Sequence, residues 1–252
     1  LVREENYWFP NSILNIVDSC FQYPDNVAIR LSDRNISQRV LLNDVNRFAS
    51  ATRGRYSAGT RVAICMPMNY ESIVAYLGII KAGCVVVSIA DSFPVEQISQ
   101  RIRIANVSVC VIQSEYVRNG KTVNIYNRFH KISKSYSFEL IVNGNYELHK
   151  DHILWNDFIR DSDSEFRTVY GTSIINILFS SGTTGEPKAI PWLQTTPIKC
   201  AADAYYHLDV RSNDTFVWPT NLGWMMGPFL IFSLLINGAA IGLYEDSPTG
   251  RG

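Results

Sequence analysis

The sequence predicts an α/β protein of layered sheets flanked by helices, and three observations carry that prediction. Residues 61–66 (RVAICM), 84–90 (CVVVSIA) and 107–112 (VSVCVI) are short, near-continuous apolar runs, the pattern of strands covered on both faces. Between them lie two helical patterns, 70–82 (YESIVAYLGIIKA) and 95–105; strand, crossover and strand at this spacing form a parallel unit, because a parallel return needs about a dozen residues. Finally, 252 residues bury a sizeable core without a disulfide or metal framework.

The elements follow in order. From Ser12, ILNIVDSCF places Ile13, Ile16, Val17 and Cys20 at helical spacing with Ser12 as a cap, and the pattern ends by Pro24. Residues 27–31 read as a short strand, and 41–51 as a helix with Leu42, Val45 and Ala49 on one side. After the parallel units the chain turns polar from Ser114 to Asp163, where 125–132 reads as a helix, 137–142 as a strand and 153–159 as a short helix. The stretch 160–167, with its DSDSEF core, reads as an exposed connection, either a subdomain boundary near 160–170 or a surface loop. Residues 174–179 (IINILF) form a strand, a helix begins near Thr196, 216–218 is a short strand and 241–244 closes the pattern.

Met225 to Tyr244 is uncharged over twenty residues, a length that could cross a bilayer. Gly227-Pro228 opens it and Asn237-Gly238 divides it, so a buried helix followed by a sheet strand is expected, with no transmembrane segment.

Lys+Arg and Asp+Glu are equal at 23 each, so no global field attracts nucleic acid or an anionic membrane. The five cysteines are widely spaced and form no CxxC pair, which fits buried reduced thiols in an intracellular compartment. The four histidines show no ligand spacing, and no Ser-His-acid arrangement stands out.

The strongest chemical signal is FSSGTTGEPKAI, residues 179–190, directly after a buried strand. Gly182 and Gly185 let main-chain N–H groups approach a ligand closely. Ser180, Ser181, Thr183 and Thr184 add donors, and Lys188 adds a movable positive charge. Oriented amides in such a turn form an anion-binding concavity suited to a polyphosphate. It is not the P-loop pattern GxxxxGK[ST]: the glycine-to-lysine spacing differs, Glu186-Pro187 interrupts it, and Ala189 stands where a magnesium-binding hydroxyl would follow.

Ser180 to Ile190 closely resembles the signature loop of the adenylate-forming (AMP-binding) superfamily, which includes acyl- and acetyl-CoA synthetases, aryl-acid ligases, luciferases and peptide-synthetase adenylation domains. The segments YWFPNSILNIVDSCFQYPDNVAI, VAICMPMNYESIVAYLGIIKAGCVVVSIADSFPVEQISQRI and TNLGWMMGPFLIFSLLINGAAIGLYE resemble the acetyl-CoA-synthetase-like branch, and the combination is similar to plant acyl-activating enzymes, some of them peroxisomal. The resemblance implies that residues 1–252 are a partial N-terminal large domain. The magnesium-binding Glu, the ribose-binding acid, the mobile C-terminal domain and its lysine are then expected outside these residues, and the chain alone is not expected to be competent.

By the same resemblance, Ser181, Gly182, Thr183, Thr184 and Gly185 wrap the β- and γ-phosphates of ATP, and Lys188 neutralises the leaving pyrophosphate. Lys188 and Thr184 are thus the catalytic candidates. Glu186 is expected to cap the turn or point to solvent. Trp224, Met225, Met226 and Gly227 are expected to shape the acyl pocket, although Trp224 also reads as a core residue capping the next helix. The implied activity is ATP- and Mg2+-dependent conversion of a carboxylic acid to an acyl adenylate, then transfer to coenzyme A, in the peroxisome or cytoplasm. Two alternatives stay open: a relative that uses a carrier thiol, and a non-catalytic nucleotide-binding protein.

Overall fold

The apolar runs become the centre of a seven-stranded sheet. In the computed structural model, which describes residues 3–4, 7–9, 11–144, 152–159, 169–180 and 185–244, the strands lie in the order His152–Leu154, Glu139–Asn143, Val109–Gln113, Arg61–Cys65, Val85–Ser88, Ile174–Ser180, Lys188–Leu193. All neighbours are parallel except the last pair. The described helices are α1 (Gln38–Arg55), α2 (Tyr70–Lys81), α3 (Val95–Ala105), α4 (Ile125–Ile132), α5 (Trp155–Phe158), α6 (Thr196–His207) and α7 (Met226–Ile236).

Both sheet faces are covered, which is why these strands are apolar without alternation. Val62, Ile64, Val86, Val109 and Val111 share one core with Leu41 and Phe48 of α1 and Ile73 and Leu77 of α2. Ala63, Cys65, Val87, Cys110 and Ile112 face a second core with Ile98 and Ile102 of α3 and Phe129 of α4. Each fully buried large side chain contributes about 1.5–3 kcal/mol. Ser37 caps α1 by accepting from the Val40 amide, and Asn69 and Ser72 form a reciprocal box at the start of α2. A second, four-stranded sheet has the order Thr215–Val217, Ala240–Gly242, Val27–Arg30, Asn35–Ser37.

The uncharged stretch divides as expected: α7 has 11 residues, a turn follows at Asn237-Gly238, and Ala240–Gly242 pairs with Val27–Arg30. Apolar on all sides, α7 is buried in the core. Among the described residues no helix is long and apolar enough to cross a membrane.

Two expectations are corrected. The helix from Ser12 is instead a two-residue strand, Ile13–Leu14, followed by a 3-10 helix, Ile16–Phe21, capped by Asn15. Ile13 and Leu14 pair with Tyr170 and Val169, and Ile13 stays exposed, so the helical spacing reflected burial of Ile16, Val17 and Cys20 alone. The short helix over 153–159 is an edge strand followed by the single turn of α5. Residues 188–193 return as an antiparallel strand at the sheet edge, where Pro191 is tolerated because an edge strand leaves amides unpaired. The connection 160–167 and most of the boundary near 160–170 lie outside the described residues.

Candidate active site

Because the central strands run parallel, their carboxyl ends share one rim, the place where open α/β sheets hold ligands. Two features occupy it. The first is a hairpin: the Ile174–Ser180 strand and the Lys188–Leu193 strand pair with Ser180 opposite Lys188 and Phe179 opposite Ala189. Lys188 is exposed at the mouth of the intervening loop. Gly185 has φ +85° with open space around its α-carbon, a conformation strained for any other residue. Ser181, Gly182, Thr183 and Thr184 lie outside the described residues. Glu186 points to solvent, as expected, and there accepts from Arg103 of α3 at 2.8 Å.

The second feature is a crevice of about 530 Å³. Pro67 and Met68 follow the Arg61–Cys65 strand, Asp91 and Ser92 follow Val85–Ser88, and Tyr116 and Arg118 follow Val109–Gln113. The chain leaves Arg61–Cys65 toward one neighbour and later returns on its other side, so these residues converge where the strand order reverses. Trp218, Trp224 and Met226 line the opposite wall. Trp224 is 50% exposed and meets Phe93 edge to face at 5.5 Å, so it is a rim residue and not a core one. Met226 lines the crevice. Met225 is exposed and outside the lining, and Gly227 is buried beneath it.

Helix α3 joins the two features. Arg101 is buried, with its guanidinium 4.0 Å from the Phe93 ring centre and 5.4 Å from that of Phe179, a cation–π stack that spans from the ring packed against Trp224 to the strand feeding the loop.

Sequence reasoning missed the crevice floor. Asp91 is buried, accepting from Asn221 Nδ2 at 3.0 Å and from the Tyr116 hydroxyl, and forms an ion pair with Arg118 Nη2 at 3.4 Å. Burial raises its pKa against the opposing effects of the Tyr116 hydrogen bond, Arg118 and Arg128. Burial and the Asp91 charge likewise raise the Tyr116 pKa, so its hydroxyl remains a donor. The available signal was Asn119-Gly120: both residues have positive φ, as a tight hairpin turn requires, and they fold Glu115–Arg118 onto Lys121–Asn124, bringing Tyr116 and Arg118 over Asp91.

The five cysteines are buried, and none of them forms a disulfide. Burial pushes the thiols of Cys20, Cys65 and Cys110 up, and that of Cys200 up to about 12, so these four do not supply thiolates. Among the described residues no cluster of His, Cys, Asp or Glu could hold a metal.

A doubly wound sheet with a hairpin and a neighbouring crevice on its carboxyl rim defines an α/β protein of the kind that holds its ligands at that rim. The family follows from the sequence: residues 17–251 match the model of the AMP-binding enzyme family, and the chain belongs to it. It is 38% identical to probable acyl-activating enzyme 18, peroxisomal, of Arabidopsis thaliana, covering 99% of this chain and 38% of that protein. It is 39% identical to hexanoyl-CoA synthase of Cannabis sativa, covering 97% and 37%. The structure of acetoacetyl-CoA synthetase from Streptomyces lividans superposes with a TM-score of 0.88 at 25% identity, covering 96% of this chain and 40% of that one. The chain thus spans about two fifths of the length of the relatives it matches.

Proposed function

We propose that this chain is the N-terminal part of an acid–thiol ligase, which uses ATP to convert a carboxylic acid to an acyl adenylate and then transfers the acyl group to coenzyme A. The observation that carries this reading is the hairpin register, which sets Lys188 across from Ser180 at the mouth of the hydroxyl-rich loop. An exposed cation at that point suits the terminal phosphates of ATP.

In the first step a carboxylate oxygen attacks the α-phosphorus, and the bond from that phosphorus to the β-phosphate bridging oxygen breaks. Ser181, Gly182, Thr183, Thr184 and Gly185 hold the β- and γ-phosphates, and Lys188 stabilises the charge gathering on pyrophosphate, as fixed charge does in other transfers from ATP. Mg2+, when bound together with ATP, would add further neutralisation of that charge. Trp224 and Met226 wall the crevice that takes the acid. In the second step the thiolate of coenzyme A displaces AMP. The buried thiols described above fit a route without a cysteine nucleophile.

The names of two relatives, acyl-activating enzymes 17 and 18, include the word peroxisomal; a peroxisomal or cytoplasmic location is proposed here, and imaging of the complete protein in cells decides it. The function is tested by acid-dependent ATP–pyrophosphate exchange in the complete protein that carries this chain. Exchange that needs both a carboxylic acid and Lys188 supports the ligase; nucleotide binding without exchange favours the non-catalytic alternative.

A further inference from the structure

We propose that Asp91 is a positioning residue for the acid-binding crevice, anchoring the turn that carries Trp224; this rests on the reading of that crevice as the acid site. The carboxylate is buried at the end of a central strand, and its donors come from two sides. On one side Asn221 gives Nδ2 to Asp91 Oδ1 at 3.0 Å and to the Met66 carbonyl at 2.8 Å. On the other, Tyr116 and Arg118 meet Oδ2, and Arg128 donates to the Asp91 carbonyl at 2.7 Å.

The Asn221 side chain then sets the turn. Its Oδ1 accepts from the Gly223 amide at 2.8 Å, and its carbonyl from the Trp224 amide at 3.1 Å. A side chain at Gly223 would put its Cβ 2.1 Å from the Ala90 nitrogen, and one at Gly227 would lie 2.4 Å from the Asn221 carbonyl oxygen. The turn is therefore seated on the backbone that presents Asp91, and Trp224 reaches the rim against Phe93 from a fixed base. Losing the charge weakens one of three hydrogen bonds that hold the Asn221 side chain, those with Met66 and Gly223 remaining, and so loosens the base of the indole wall.

The test compares Asp91→Asn in the complete protein by two readouts: kinetics of ATP–pyrophosphate exchange with the best of acetate, hexanoate and palmitate, and hydrogen exchange at single amides. A hydrogen bond to a buried charge has the weight for a KM increase of about tenfold for the acid, with kcat within about twofold. The Gly223 amide exchanges about tenfold faster, and the Val45 amide in α1 is unchanged. Tyr116→Phe, which removes one donor and little volume, shifts both readouts the same way by a smaller factor and serves if Asp91→Asn does not fold. Unchanged KM and unchanged Gly223 exchange overturn the proposal, as does equal acceleration at Gly223 and Val45, which marks a merely structural role. Wild-type protein without acid-dependent exchange overturns the ligase reading alone, and amide exchange then decides whether Asp91 anchors the turn.

Discussion

The two halves of the sheet's carboxyl rim hold their polar groups in opposite ways. At the hairpin, Lys188 is exposed and Glu186 meets Arg103 in a pair whose side chains are 67% and 51% exposed. At the crevice floor, Asp91 is sealed among Asn221, Tyr116 and Arg118. Charge left in water is available for a mobile polyanion at low cost, whereas charge taken from water must be answered by donors already in place. On the proposed reading, one region is prepared to bind, and the other to hold shape.

The largest expected effect separates the two by function. Lys188→Ala in the complete protein lowers kcat for ATP–pyrophosphate exchange by about 10²–10³-fold, in the range of other lost transition-state charges. Its melting curve stays close to wild type, because exposed substitutions away from special features alter stability by only about 0.5 kcal/mol. A matching loss of stability would erase the contrast.

Next, Gly223→Ala forces a methyl into the Ala90 backbone and destabilises by about 1–3 kcal/mol, the usual cost of overpacking. Denaturant midpoints measure the loss, and Trp224 emission reports the displaced turn.

The Asp91 charge gives a smaller, pH-dependent effect. Its pKa is raised in the folded chain, so between the unfolded and folded values the native state holds the proton more tightly. That contribution to stability is therefore full at low pH and lost as pH rises through the folded pKa, with a slope of at most about 1.4 kcal/mol per pH unit. Subtracting the Asp91→Asn profile from wild type isolates it; a difference that grows with pH has the wrong sign.

The smallest effect belongs to the exposed pair. A double-mutant cycle over Arg103→Ala and Glu186→Ala yields a coupling of about 0–1 kcal/mol that fades in high salt.

Local pattern made much of the fold legible. Residues 61–112 alternate between apolar runs and helical spacing because each element meets core on defined faces, and α3 runs from Val95 to Ala105 as its periodicity implies. The loop's composition was legible for a similar reason, since its hydroxyls, glycines and lysine lie within ten residues. The opening segment misled because Ile13, spaced for a helix, pairs with Tyr170 far along the chain. Among the pocket candidates, Met226 reaches the crevice and Met225 does not, a difference set by the turn at Asn221 and not by composition.

By itself the sequence determined the alternation of strand and helix and the covered sheet, and it placed hydroxyls, glycines and a lysine together at 180–188, since these follow from neighbours a few positions apart. Only the tertiary structure decided that Asp91 is buried and which groups answer it. Asn221 lies 130 positions away in the chain, and the hydrogen bonding of a buried charge depends on whichever donors the fold brings within reach.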